Sequence, residues 1–187
     1  NPSSENIYIQ NTLNNVVGTN NSSPQFFNSP TPYLCVNNFA TYSHAASDPD
    51  GDSLYYSFNN PLGTPGPPGS PIAFSGTYTI NDPISTTSGI TFDQTTGEMC
   101  FTPDIGQIVV ISVLIEEFRN GALIGSQIRE MQVIVDPTCT NQSPTAGAGG
   151  AVGCGASSTL VLTTFGPSVT QTDPNSIVMC PDDNVCF

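Results

Sequence analysis

The chain contains no lysine and no tryptophan, and its only basic side chains are Arg119, Arg129 and a single histidine, His44. Fifteen acids against two arginines leave a net charge of −13. A nucleic-acid binder needs a basic footprint to neutralise phosphates, and this chain has none. Attraction to anionic membrane surfaces is excluded on the same ground. No apolar run approaches the ~20 residues of a bilayer-spanning helix, so no membrane insertion is expected. Only 9% of residues are charged and 37% hydrophobic, so the surface must be polar but mostly uncharged. Strong unneutralised negative charge is tolerable where salt or divalent cations screen it, as outside a cell. The N-terminus shows neither an initiator Met nor a signal peptide, the pattern expected of a mature or excised segment.

Six cysteines are present, Cys35, Cys100, Cys139, Cys154, Cys180 and Cys186, and none forms a C-x-x-C pair. One histidine cannot complete a zinc site with them, so disulfides in an oxidising compartment are the expected use. Six cysteines allow fifteen pairings, among which the sequence does not choose. Seventeen prolines and seventeen glycines interrupt the chain, and no amphipathic helical period persists. Short runs rich in Val, Ile, Thr, Tyr and Phe alternate with turn clusters, which predicts an all-β sandwich.

The strongest element is a hairpin: Ile108–Phe118, an Asn120-Gly121 type I′ turn, and a return over Ala122–Val135. Alternation places Ile124, Ile128 and Ile134 on one face of the return strand, and Arg129, Met131 and Val133 on the other. Further strands are expected over Phe39–Ala46, Leu54–Phe58, Gly76–Ile80, Ile90–Phe92 and Glu98–Phe101. Asn59 to Pro71 is so rich in Pro and Gly that it reads as a stiff loop, and Thr145 to Gly155 as a linker. Asn21-Ser22-Ser23-Pro24 recurs as Asn141-Gln142-Ser143-Pro144, a spacing on the order of the ~100 residues of one sandwich. The expected organisation is an N-terminal strand and linker over 1–33, a β-sandwich over 34–136, and a linker with an incomplete second β module over 137–187.

The most informative stretch is Asp48-Pro49-Asp50-Gly51-Asp52-Ser53-Leu54. Three carboxylates at alternate positions repel one another unless water or a cation separates them, and a hard cation with six to eight oxygen ligands suits them. Asp48, Asp50 and Asp52 are therefore candidate calcium ligands, with Gly51 supplying the turn. An EF-hand is excluded, because Ser53 and Asn59 stand where its Gly and Glu belong. A catalytic triad could use only His44, which sits between Ser43 and Ala45 on an expected strand with no G-x-S-x-G elbow, so a structural histidine is the better reading. The glycine run near 147–155 lacks the Lys-Ser/Thr of a phosphate loop. A glycosidase pair is disfavoured, since the acids cluster in one loop and no Trp offers a sugar platform. Asn20, Asn21 and Asn141 each head an N-x-S sequon and are candidate glycosylation sites.

Several of these segments occur in an order that resembles a known family. Residues 21–35 lead into Tyr42-Ser43-His44-Ala45 and the Asp48–Asp52 run; Phe92-Asp93-Gln94-Thr95-Thr96-Gly97 and Phe101-Thr102-Pro103 follow, then Ile115-Glu116-Glu117-Phe118-Arg119-Asn120-Gly121 and Arg129-Glu130-Met131-Gln132-Val133. The series, over roughly residues 7–136, is similar to the cadherin-like and Ig-like repeats of large secreted surface proteins of Bacteroidetes, many of which carry gliding-motility-associated or type IX secretion sorting domains. The resemblance implies an extracellular, calcium-stiffened, non-catalytic module of an adhesin or fibre, beside tandem repeats or copies of itself and in contact with glycans or cell surfaces. It also implies Asp48, Asp50 and Asp52 as calcium ligands, and it matches Glu117 to an acid ahead of the Arg-Asn-Gly hairpin. Asp136-Pro137 departs from the fuller acidic linker of true cadherins, which argues against a three-ion site between domains. Asp52-Ser53-Leu54 resembles the motif these bacteria O-glycosylate, which makes Ser53 a further candidate. One alternative is a filament protomer, possible glycans included, whose strand-like tail Ser176–Phe187 completes a neighbour's sheet. The other is an accessory domain of a carbohydrate-active protein.

Overall fold

The computed structural model describes residues 6–18, 20–30, 33–66 and 69–139, together with the backbone of 169–173 and 176–179. It is all-β, with no helix among the described residues, and its antiparallel sheets are consistent with a β-sandwich. In chain order the strands are β1 (Asn11–Leu13), β2 (Gln25–Phe26), β3 (Tyr33–Cys35), β4 (Ala40–Ser43), β5 (Ala46–Ser47), β6 (Ser53–Asn59) and β7 (Leu62–Thr64). There follow β8 (Ser70–Pro71), β9 (Thr91–Phe92), β10 (Glu98–Phe101), β11 (Gln107–Arg119), β12 (Ala122–Asp136), β13 (Val169–Asp173) and β14 (Ser176–Met179). The chain divides into two compact units, Asn1–Cys139 and Thr140–Phe187. Within the second, the described backbone is the antiparallel pair β13–β14. Asn141, Cys154, Cys180, Cys186 and the linker Thr145–Gly155 lie outside the described residues, as does the end of the tail beyond Met179.

In the larger unit, one sheet runs β1-β12-β11-β6, with β3 pairing in parallel on β12; a second runs β4-β10-β9. The β11–β12 hairpin is the long element expected from sequence. Asn120 and Gly121 take φ of 52° and 80°, the left-handed pair a type I′ turn requires. Alternation along β11 turns Ile111, Val113 and Ile115 inward, and β12 answers with Met131, Val133 and Val135. Tyr56 of β6 joins them, and Tyr42, Met99 and Phe101 of the facing sheet close the core with Ile84. Burial of such side chains stabilises the fold by about 1.5–3 kcal/mol each. On β12, Ile128 and Ile134 are half-buried on the outer face, while Ile124 sits at a register shift opposite Glu117/Phe118 and is fully buried.

Three local expectations are revised. The strand expected over Phe39–Ala46 breaks at His44-Ala45 into β4 and β5, which pair with different partners, β10 and β2. Gly76–Ile80 is not a strand: Gly76 takes φ of 66°, and Thr79 and Asp82 bond each other's backbones across a tight turn. The Pro-rich loop carries the small irregular pair β7–β8, in which Pro71 occupies the terminal position of β8. Near the N-terminus, β1 and β3 both pair on β12 in the main sheet. A Cys35–Cys139 disulfide, Cα–Cα 5.3 Å, fastens β3 to the chain leaving β12.

Candidate metal centre

Asp48 begins a tight turn in which its Oδ1 accepts from the backbone N–H of Asp50 at 2.8 Å and of Asp52 at 3.1 Å. The Gly51 N–H donates to the Asp48 carbonyl at 3.2 Å, and Gly51 takes φ of 81°, where a side chain would be strained. This local chemistry consumes one oxygen of Asp48 and leaves the other, Oδ2, buried with no hydrogen-bond partner. Asp48 and Asp52 flank the turn and converge, whereas Asp50 sits at its apex and diverges. Asp50 Oδ2 instead accepts from the Ser22 N–H at 2.6 Å and stands 3.7 Å from the Arg119 guanidinium.

The third converging acid comes from far along the chain. The alternation that buries Ile111, Val113 and Ile115 also turns Glu117 inward at the end of β11, and Glu117 is 3% exposed. Its cross-strand neighbours are Leu54 on β6 and Gly125 on β12. A Cβ on Gly125 would stand 2.7 Å from Glu117 Oε2, so any larger residue there would push the carboxylate out of its present place. Ligand oxygens of Asp48, Asp52 and Glu117 lie within 4.8 Å of one another. Glu117 Oε1, like Asp48 Oδ2, is buried without a partner. Burial, with the charges of Asp48 and Asp52 adding to it, pushes the Glu117 carboxyl up to about 7, partly offset by a hydrogen bond from Asn21.

Arg119, two residues beyond Glu117, grips Asp52 through Nε–Oδ1 at 2.8 Å and Nη2–Oδ2 at 2.6 Å. That fork holds the Asp52 carboxyl below the usual carboxylate range. Nη2 also donates to Asn21 Oδ1 at 2.8 Å. Three segments thus meet at one point: the 20–22 stretch, the 48–52 turn and the end of β11. A cavity of about 110 Å³ adjoins Glu117, lined by polar groups of Asn21, Ser23, Ser126 and Gln127, and it leaves room for water. Oxygen-only donors, an excess of negative charge and two buried free oxygens suit a hard divalent cation such as calcium.

The structure therefore groups Asp48 and Asp52 with Glu117, while Asp50 stands at the rim of the same cluster, its Oδ2 held by the Ser22 N–H and near the Arg119 guanidinium. Arg119 was missed as a site residue, although its spacing behind Glu117 was a signal. Of the candidate glycosylation sites, Asn20 is exposed with φ of 59°, and Ser53 is exposed at the start of β6. Asn21 is half-buried, its amide oxygen held by Arg119. Cys100 is buried on β10.

Other buried polar groups lie apart from this cluster. His44 is fully buried edge-on to Tyr42, with ring centroids 4.8 Å apart, and neither ring nitrogen has a hydrogen-bond partner. Burial, with the Arg129 charge adding, pushes it down to about 4, so it packs as a neutral aromatic ring. Arg129 itself lies over the Phe26 ring at 4.3 Å and donates to the Tyr42 hydroxyl at 2.7 Å. Glu130, across from Ser112, is raised by burial but has no second carboxylate among its cross-strand neighbours. A larger cavity of about 160 Å³, walled by side chains such as Ile72, Phe74, Tyr78 and Ile108, contains no carboxylate. In comparisons with known proteins, no family model, no curated protein and no solved structure matches the chain.

Proposed function

We propose that the chain is a non-catalytic structural module of a secreted surface adhesin or fibre, of Ig-like or cadherin-like type, stiffened by a calcium ion at Asp48, Asp52 and Glu117. The observation that carries this reading is the pair of buried, unpartnered oxygens, Asp48 Oδ2 and Glu117 Oε1, in one three-carboxylate cluster. Leaving such oxygens unsatisfied costs about 1–3 kcal/mol each, a penalty that a bound cation removes. The ion would tie the 20–22 stretch, the 48–52 turn and the hairpin end into one rigid joint, and it has no chemistry to perform there. The Cys35–Cys139 disulfide supports the extracellular side of the reading.

The test is a thermal melt in calcium and then in chelator. At a hundredfold excess over the dissociation constant, one site adds about 2.7 kcal/mol, a shift of several degrees. Asp48→Asn and Glu117→Gln should each abolish the shift, and Asp50→Asn should leave it largely intact. No shift in the wild type sinks the calcium reading. A second reading, a filament protomer assembled by strand addition, draws on the two-stranded β13–β14 pair, an arrangement marginal by itself. Regular fibres of purified protein in electron micrographs would favour it over the spacer module.

A further inference from the structure

Alternation along β12 turns Met131 and Val133 into the core and Glu130 to the outer face of the main sheet. Both oxygens of the Glu130 carboxyl are nevertheless buried without a hydrogen-bond partner, and so is the hydroxyl of Ser112, directly across from it on β11. The chain that follows β6 covers them. β6 ends at Asn59, opposite Ser112, and the Leu62 N–H then approaches the Glu130 carboxyl, so the chain crosses over β11 between them. This cover is lightly held. β7 and β8 are three and two residues long, and a two-stranded pair is marginal by itself. Leu62 faces Pro71, which has no N–H, and its carbonyl accepts instead from the Tyr8 N–H at 2.7 Å. Pro61 and Ile72 of the cover also wall the cavity of about 160 Å³, together with Val110 of β11.

We propose that β7 and β8 form a proton-operated cover, seated on the sheet while Glu130 is protonated and lifted when it ionises, and that lifting opens the cavity beside it. A buried carboxylate without partners loses its hydration, whereas the neutral acid loses far less and can donate to the Ser112 hydroxyl. The ionised group regains water only if something above or below it moves. The long β11–β12 pairing beneath is the strongest element of the fold, so the short cover yields first. No opposite charge offers an alternative. Residues 60–74 contain no titratable group, and the same-face neighbours Asn59, Leu114, Ile128 and Gln132 are uncharged. The titratable groups on the packed elements are Tyr8, beside Leu62, and Tyr55, Glu116 and Tyr33, four positions along the sheet to either side. Arg129 points to the opposite face, over Phe26. Burial accordingly raises the Glu130 carboxyl, the Ser112 hydroxyl and Leu62 N–H offset this in part, and no charge contributes.

Amide hydrogen exchange of the full chain, followed from about pH 4 to 8 and divided by the unfolded-chain rate at each pH, tests this. The seated form binds the extra proton, so its advantage is present below the ordinary value of 4.5 and is lost as pH rises. Opening at Leu62, Gly63 and Ile72 should therefore increase by about tenfold per pH unit above that value, then level off once the seated form ionises too. Tyr8 should follow, because its N–H closes on the Leu62 carbonyl. Glu130→Gln keeps the shape without the charge, and Glu130→Leu removes the polar group altogether. In both, exchange of the cover should be the same at every pH. Val113 and Ile115 report opening of the sheet itself and should not follow the cover. Exchange at Leu62, Gly63 and Ile72 that is flat with pH in the wild type, that keeps its pH dependence in both variants, or that runs parallel to Val113 and Ile115, overturns the proposal.

Discussion

The Arg119 guanidinium holds both oxygens of Asp52, at 2.8 and 2.6 Å, across 67 residues of sequence. One fixed positive charge therefore already sits at the edge of a cluster that contains Asp48, Asp52 and Glu117. Arg119→Met removes it and leaves the carboxylates to repel one another. The variant should lose more stability than wild type in chelator, and calcium should restore most of the loss. Urea denaturation in both conditions measures this. An equal loss with and without calcium would mean that Arg119 acts through packing alone.

Glu117 and His44 give the cation-free protein opposing pH dependences. Folded Glu117 holds its proton up to about 7, against an ordinary value of 4.5. The folded state therefore binds the extra proton in that window, and stability falls as pH rises through it. His44 protonates near 6.5 when unfolded and near 4 when folded. Its contribution is present above 6.5 and is lost as pH falls toward 4. Across the overlap the two slopes offset each other. Glu117→Gln in chelator should unmask the histidine term, so that stability drops steadily from pH 6.5 to 4 where wild type is flatter. Identical pH profiles for the two proteins would count against titration of Glu117 in this range.

Gly97 and Gly121 both have positive φ, 69° and 80°, but only Gly97 is packed. A Cβ at Gly97 would lie 2.9 Å from Tyr56 Cδ1 and 3.1 Å from His44 Cβ, whereas one at Gly121 meets nothing within 4 Å. Gly97→Ala should cost about 2–4 kcal/mol, from strain plus overpacking, and Gly121→Ala about 1–2 kcal/mol, from strain alone. Chemical denaturation of both variants separates the two contributions. Equal costs would refute the packing argument.

The Cys35–Cys139 disulfide closes a separation of 104 residues. In the chain-entropy model, a loop of that size adds roughly 4–5 kcal/mol to stability. Reducing agent, or a Cys35→Ser/Cys139→Ser chain, should lower the calorimetric midpoint markedly and loosen the parallel pairing of β3 on β12, visible as faster amide exchange at Leu34 and Val36. A midpoint that reduction does not move would show that the bridge contributes little.

The elements legible in the sequence are those whose cause is local. Asn120-Gly121 dictates the hairpin turn, and alternation through Ile111, Val113 and Ile115 sets the buried face of β11. The Asp48–Asp52 turn is likewise local, because an aspartate at its start captures the N–H groups of residues two and four further on. The errors fall where partners decide: His44-Ala45 divides a β-rich run because β4 and β5 join different sheets. Gly76–Ile80 has strand composition but closes on itself through Thr79 and Asp82.

By itself, then, the sequence determined an acidic, lysine-free, all-β chain with one tight carboxylate turn and one long hairpin, since short-range steric and hydrogen-bonding rules suffice for each. Only the tertiary structure decided which acids share a site. The register of β11 against β6 places Glu117 across from Leu54, two residues after Asp52, and Gly125 leaves space for its carboxylate. The turn sets Asp50 at the rim, against Ser22 and Arg119. Alternate spacing in the sequence equates the three aspartates, but the folded turn does not, because side chains at its apex and on its flanks point in different directions.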